Sequence, residues 1–288
     1  MTRLEVLKTY KIYIGGQFPR TESGRYYTLT GKDSTPLANV CLSSRKDFRN
    51  AVVAARAAFA GWSSRPGFNR GQILYRIAEM LEGRKEQFVA ELILQGAAPK
   101  AALEEVMTAT DRLVYYAGWC DKYQALFSSV NPVASSHFNF SVPEATGVVA
   151  IIAPESNSLL GLVTALAPVI AGGNTCVALA STSMPLCAVT FAEVVHASDV
   201  PAGVVNILTG TSKELHSHFA SHMDVNALIC YGTDKTEITR MKELASLNVK
   251  RIFVHTKEDQ GPYHILQAQE IKTTWHPIEQ IGPGKAGY

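Results

Sequence analysis

Five cysteines in 288 residues, odd in number and widely spaced at Cys41, Cys120, Cys176, Cys187 and Cys230, leave no Cys-x-x-Cys pair. A disulfide framework is therefore excluded, and the expected setting is reduced and cytoplasmic. Charge of one sign is also missing. Lysine and arginine number 27 against 25 acidic residues, for a net +2, with no long block of either sign. Nothing in this balance suits a nucleic-acid or anionic-membrane surface. The longest apolar run, Leu159 to Ala171, is interrupted by Pro168 and is shorter than the roughly 20 residues a membrane-spanning helix needs. Arg3, Glu5 and Lys8 break up the first residues, so a secretory signal is not expected. Internal repeats and low-complexity tracts are absent as well.

What remains is a globular composition, 47% hydrophobic and 18% charged, with length enough for a substantial core. Residues 11–30 alternate around Gly15-Gly16 and predict a short hairpin. Ser44 can cap a helix starting near Lys46, with Val52, Val53, Ala57 and Phe59 as its apolar face. Further helices are predicted over 69–84, 85–95 and 100–123, the last with Leu103, Val106, Thr110, Val114 and Ala117 on one stripe. Residues 128–142 read as an exposed strand pair.

From Gly147 the pattern becomes strand, helix, strand, helix. Apolar strands at 148–153, 176–179, 204–208, 227–230 and 251–254 alternate with helices at 159–171, 186–196, 213–222 and 235–246. The expected fold class is α/β, a doubly wound parallel Rossmann-like sheet behind an N-terminal helical layer.

Several segments carry a resemblance. Tyr13-Ile-Gly-Gly-Gln-Phe18, Ala51 to Phe59 with Trp62, and Arg70 to Leu81 come first. Gly147-Val-Val-Ala-Ile-Ile-Ala-Pro154, Ala171-Gly-Gly-Asn-Thr175, Pro185-Leu186 and Pro201-Ala-Gly-Val-Val-Asn-Ile207 follow in order. Together they resemble the first half of the aldehyde dehydrogenase superfamily. The resemblance implies a nicotinamide crevice built from Ile152, Ala153 and Pro154, from Leu179, Ser181 and Thr182, from Gly210, and from Gly232 and Thr233.

The same resemblance shows where chemistry is altered. The family's Trp-Asn-Phe-Pro, whose asparagine helps hold the oxyanion, is Glu155-Ser156-Asn157-Ser158 here. In the Lys-Pro-(Ser/Ala)-Glu signature, whose lysine and glutamate grip the adenosine ribose, Leu179 and Thr182 replace the charged pair. Such contacts are worth about 1.5–3 kcal/mol each, so two losses weaken binding by roughly 10²–10⁴. Cys230-Tyr231-Gly232-Thr233 takes the place of Phe-Thr-Gly-Ser at the pyrophosphate, leaving a glycine and a hydroxyl at a helix start. The Glu-Leu-Gly-Gly-Lys stretch with the general base is matched to Ser246-Leu-Asn-Val-Lys250, and Ser246 cannot take a proton at neutral pH without a partner. No cysteine follows Cys230, so the expectation is a chain without the catalytic domain and its nucleophile.

Other signals carry less. Gly282-Pro-Gly-Lys-Ala-Gly287 matches Gly-x-Gly-x-x-Gly by letter, with no helix after it. His216, His218 and His222 lack the glutamate of a zinc-hydrolase helix and read as exposed helix histidines. Cys176 and Cys187 read as small core residues, and Glu155 as a solvated loop carboxylate.

The implied organisation is 1–128 for the helical part, 129–146 for an oligomerisation hairpin, 147–258 for the Rossmann-like core, and 259–288 for a linker, an oligomerisation strand at Ile271–Trp275 and a flexible tail. It is similar to the truncated second module of two-module (family 16) aldehyde dehydrogenases. The function expected is that of a non-catalytic structural or regulatory subunit, joined to itself or to a complete aldehyde dehydrogenase, with no metal, and with NAD(P) bound weakly if at all. A weak nucleotide sensor, or a subunit of an active enzyme whose nucleophile comes from another chain, stays open.

Overall fold

The computed structural model describes residues 6–232 and 234–278. Strands β1 (Thr9–Tyr10), β2 (Tyr26–Thr30) and β3 (Pro36–Cys41) form a small sheet in the order β1-β3-β2. Helices α1 (Arg45–Ser63), α2 (Gly67–Gly83), α3 (Lys85–Leu94), α4 (Pro99–Trp119) and α5 (Tyr123–Phe127) follow. Strands β4 (Ser129–Asn131) and β5 (His137–Ala145) make a hairpin. The core then alternates β6 (Val148–Ile152), α6 (Leu160–Ala171), β7 (Thr175–Leu179), α7 (Leu186–His196), β8 (Val205–Leu208), α8 (Ser212–Ser221), β9 (Ala227–Tyr231), α9 (Lys235–Ser246) and β10 (Arg251–His255). A short α10 (Tyr263–Gln267) leads into β11 (Gln269–Pro277).

The central sheet is parallel throughout, in the order β10-β9-β6-β7-β8. From β6 the chain winds outward through β7 to β8, then returns to β9 on the other side. The order therefore reverses between β6 and β9, and the crevice at that switch point is where an open α/β sheet offers a ligand site. Strands β6, β7, β8 and β9 are buried along their whole length, as continuous apolar runs covered on both faces must be. One core cluster holds α2, α4, α6 and α7 against one face, and a second holds α1, α8 and α9 against the other. No helix among the described residues is long and apolar enough to cross a membrane.

The expected α/β class is the one observed, and most predicted elements lie within a residue or two of their places. Ser44 caps α1 as expected, with Asp47 Oδ2 accepting from its amide at 2.7 Å and its hydroxyl at 2.8 Å. Three local expectations are corrected. Residues 11–30 are not one hairpin. Gly15 and Gly16, at φ 58° and 79°, close a tight turn between Ile14 and Gln17, while Tyr13 bridges to Ile207 and β2 pairs with β3. Helix α4 is turned by about one residue from the predicted stripe. Ala102, Val106, Ala109, Leu113 and Tyr116 face inward, whereas Leu103 and Val114 are exposed. That helix also stops at Trp119, before the short α5.

The segments expected to seek a strand from another chain pair with each other. β5 runs antiparallel to β11 over nine residues, with Ser141 opposite Thr273 and Asn139 opposite Trp275. The resemblance gives Ile271–Trp275 as the late strand that completes the hairpin's sheet, and it does so within one chain, across the whole Rossmann-like core.

Candidate functional site

At the carboxyl ends of β6, β9 and β10 lies a crevice of about 470 Å³, lined by Ile152 to Ser156, Cys230 to Gly232, the start of α9, His216 on α8, and His255, Thr256 and Glu258 after β10. Of the nine expected cofactor positions, Ile152, Ala153, Pro154 and Gly232 line it. Leu179, Ser181, Thr182 and Gly210 do not, and Thr233 lies outside the described residues. Leu179 is buried in the core beneath the sheet. Thr182 spends its hydroxyl on the Gly210 carbonyl at 2.8 Å, and its own carbonyl accepts from the Tyr27 hydroxyl at 2.9 Å.

Glu155 separates these two groups. It is exposed as a residue, yet its carboxylate is not free in solvent as the sequence suggested. It accepts from the Thr182 amide at 2.9 Å, the Ser183 amide at 3.1 Å, and the hydroxyls of Ser181 and Ser183 at 2.7 and 2.8 Å. Burial pushes its pKa up, but the amides and hydroxyls together outweigh it and hold the carboxyl below its usual value. The end of β7, where the resemblance puts ribose contacts, is thus closed by a carboxylate of the chain itself.

Three other donor sets are filled in the same way. Asp234 caps α9, accepting from the amides of Thr236 at 2.9 Å and Glu237 at 3.2 Å. Those are the amides that a pyrophosphate at this helix start would use. Glu258 accepts from the Ser156 hydroxyl and the Asn157 side-chain amide, so its carboxylate sits on the donors nearest the oxyanion position. Asn157 is doubly engaged, because its carbonyl accepts from the Gly161 amide. The start of α6 is likewise taken by Glu105, from the Leu159 amide at 2.8 Å and the Leu160 amide at 3.2 Å.

The remaining chemistry is muted. Cys230 borders the crevice, but burial pushes its thiol up to about 11, so at neutral pH it is not the thiolate a nucleophile requires. Cys120 and Cys176 are raised to about 12 by burial as well. Ser246 is exposed in the last turn of α9, donating to the Glu243 carbonyl at 2.7 Å, and does not line the crevice. Lys250 is buried against α8, its ammonium donating to the carbonyls of Phe219, Ala220 and His222. The titratable side chain at the carboxyl end of β10 is instead His255, held 3.0 Å from Gln267 Oε1, with its pKa lowered by burial. The nicotinamide cofactor implied by the resemblance does not fit these residues: its ribose contacts are absent and its anion donors are occupied from within.

The histidines of α8 divide. His216 points its Nδ1 toward Glu237 at 3.4 Å, on the crevice wall, while the pKa values of His218 and His222 are lowered by burial. No group of three or more metal-binding side chains occurs among the described residues. Sequence reasoning missed Asp234, Glu258 and His255, and it read His216 as an exposed helix histidine although its side chain is only 13% exposed. The Asp234-Lys-Thr-Glu237 capping pattern was available. Nothing local marked Glu258, whose partners are about a hundred residues away.

The pattern of the aldehyde dehydrogenase family matches residues 19–257, most of the chain. The chain belongs to the aldehyde dehydrogenase family. Among its relatives, cytosolic 10-formyltetrahydrofolate dehydrogenase of Mus musculus is 31% identical over 256 residues, covering 87% of this chain and 28% of that protein. An aldehyde dehydrogenase of Davidiella tassiana is 30% identical over 244 residues, covering 84% of this chain and 49% of that protein. In structure, PnpE from Pseudomonas sp. WBC-3 aligns with a TM-score of 0.81 and 26% identity over 86% of this chain and 50% of its own. The NAD+ complex of an aldehyde dehydrogenase from Bacillus cereus gives the same score at 24% identity, a likeness of fold. The chain thus spans about half the length of these aldehyde dehydrogenases and less of the formyltetrahydrofolate enzyme.

Proposed function

We propose that this chain is a non-catalytic member of the aldehyde dehydrogenase family, serving as a structural or regulatory subunit that assembles with itself or with a complete aldehyde dehydrogenase. The observation that carries this reading is the filling of the anion donors at the sheet's carboxyl edge by Glu155, Asp234 and Glu258. A dinucleotide would have to displace these carboxylates and would gain no lysine at position 179. The sheet formed by β4, β5 and β11 supports the assembly role. It leaves Val130, Ile271 and Trp275 more than half exposed and Phe138 45% exposed, and edge strands with such faces recruit partners. Free cysteines buried throughout suit a cytoplasmic setting.

Calorimetry with NAD and NADP, combined with an assay for NADH formation from short aliphatic and aromatic aldehydes, tests the catalytic half. No turnover and no binding in the micromolar range are expected. Steady NADH production from the purified chain would overturn the reading. Co-purification with a complete aldehyde dehydrogenase, or self-association by light scattering, tests the assembly half. A weak nucleotide sensor is the second reading, favoured by the open volume between β6 and β9. It requires measurable nucleotide binding without turnover.

A further inference from the structure

A second cavity, of about 440 Å³, opens at the amino edge of the central sheet, on the side away from the crevice. The end of α1, the start of α2 and the roots of β5 and β11 meet there, with Gly172 after α6 on its wall. Its charged lining is Arg65, Arg70 and Lys272 against one carboxylate, Glu144. That carboxylate is already committed, 2.8 Å from the Lys272 ammonium.

Arg70 is the decisive member. It is 4% exposed, and burying a charge is costly unless an opposite charge or a full set of hydrogen bonds answers it. Its partners are neutral. Nε donates to the Ala171 carbonyl at 3.1 Å, Nη1 to the Arg65 carbonyl, and Nη2 to the Tyr123 hydroxyl at 3.4 Å. A guanidinium carries five N–H groups. One on each terminal nitrogen therefore has no acceptor among the described residues, and the side chain lies on the cavity wall.

The surroundings favour the same sign of ligand. Helix α2 begins after Pro66 with no side-chain cap and no acidic residue in its first turn, and Pro66 and Gly67 line the cavity. First-turn amides have no partner within their helix and carry the positive end of its dipole. The carbonyls that end α6, which would repel an anion, are spent on Arg70 and on Gln269 Nε2, 3.0 Å from the Gly172 oxygen.

We propose that this cavity binds a phosphate dianion, free or as the head of a small monoester, with Arg70 at its base and Arg65, Lys272 and the start of α2 around it. A guanidinium fork matches two oxygens of such a group. The volume leaves room beside the head for a small body along Phe59. The site is remote from the crevice and stands whether or not a dinucleotide binds there.

Inorganic phosphate, phenyl phosphate and phenol, each titrated calorimetrically into the full chain, test head and body separately. Fixed ionic strength and about pH 7.5 keep the monoester a dianion. Both phosphates should bind and phenol should not. Tighter binding of phenyl phosphate identifies a monoester site, and equal affinities identify free phosphate as the ligand. Arg65 is exposed and its side chain makes no hydrogen bond or ion pair among the described residues. Arg65→Gln should therefore weaken phosphate binding about tenfold at an unchanged unfolding temperature. Arg70→Lys keeps the charge but loses the fork, and should weaken binding at least as much. Glu144→Gln, which removes the one carboxylate of the lining, should tighten it. Lys122→Gln, which removes the same charge outside the cavity lining, should leave it unchanged. No binding of either phosphate, an affinity indifferent to Arg65→Gln, or equal losses in Arg65→Gln and Lys122→Gln overturns the proposal.

Discussion

At the carboxyl ends of β6, β7 and β9, amides and hydroxyls that a ligand would use are answered by Glu155, Asp234 and Glu258 of the same chain. On the sheet of β4, β5 and β11 the balance is reversed. Its polar side chains pair among themselves, Asn131 with Asn139 and Ser141 and Ser141 with Thr273, while Phe138, Ile271 and Trp275 stay outside. A polar site can be filled from within, because each amide or hydroxyl can donate to an internal carboxylate in place of a ligand with little change in fold. An exposed apolar face has no internal partner of this kind and stays in contact with water until another surface covers it.

The strongest way to break this comparison is to remove the sheet's outer strand. Truncation before Gln269 takes away the nine-residue ladder with β5 and should reduce any assembly to monomer. It should also lower the unfolding temperature by roughly 5–10 °C, given about 2–4 °C per kcal/mol at this size. Light scattering beside thermal unfolding checks both, and an unchanged mass after truncation would show the sheet is not the contact. Next in size, Trp275→Ala should weaken association by about 2 kcal/mol, roughly thirtyfold. Because Trp275 is 58% exposed, the unfolding temperature of the dilute chain should barely move. Sedimentation across a concentration series measures this.

On the crevice side the effects are smaller. Asp234→Ala removes the cap of α9 and should cost about 1 kcal/mol, seen in denaturant unfolding. It also frees the amides of Thr236 and Glu237, so inorganic phosphate should bind better than to the parent chain. If phosphate binding does not improve, occupied amides are not what excludes anions. The smallest effect concerns pH. Glu155 has a carboxyl lowered below its usual 4.5, so its contribution to stability is complete above that value and fades as pH falls through the folded value. Unfolding of the parent chain and of Glu155→Gln should therefore differ in slope below about pH 4.5 and run parallel near neutrality.

Much of this was legible in the sequence because it is local. The capping box at Ser44 and Asp47, the apolar strands from Val148 onward, and the helix starts all declare themselves within a few residues. The orientation of α4 was not, since Leu103 and Val114 match the helical period as well as Ala102 and Leu113 do, and packing against α2 and α6 decides between them. The crevice was half legible. Pro154 and Gly232 fall where the strand ends put them, and the Asp234 cap is local, but the donors at the end of β7 and at Ser156 and Asn157 depended on Glu155 and Glu258 from afar. Glu155 looked solvated because the donors it uses, on Ser181, Thr182 and Ser183, lie beyond α6 and β7 in the sequence, and Ser246 was matched to a strand end that the chain reaches only at His255.

Asn174 has a role in shape as well as in bonding. Its carbonyl oxygen accepts from the Gly147 amide at 3.0 Å, where the chain leaves β5 for the core, and its amide donates to the Ala268 carbonyl at 2.8 Å, where the chain enters β11. Gly147 turns there at φ 137°, and a Cβ would stand 2.1 Å from Asn226 Oδ1. One asparagine therefore fixes both roots of a projecting arm. Nine extended residues make a lever of about 30 Å, so a tilt of about 6° at the root swings the tip by about 3 Å. The bearing of that arm, and with it the symmetry any docked second chain could adopt, is set by a residue that no partner would ever touch.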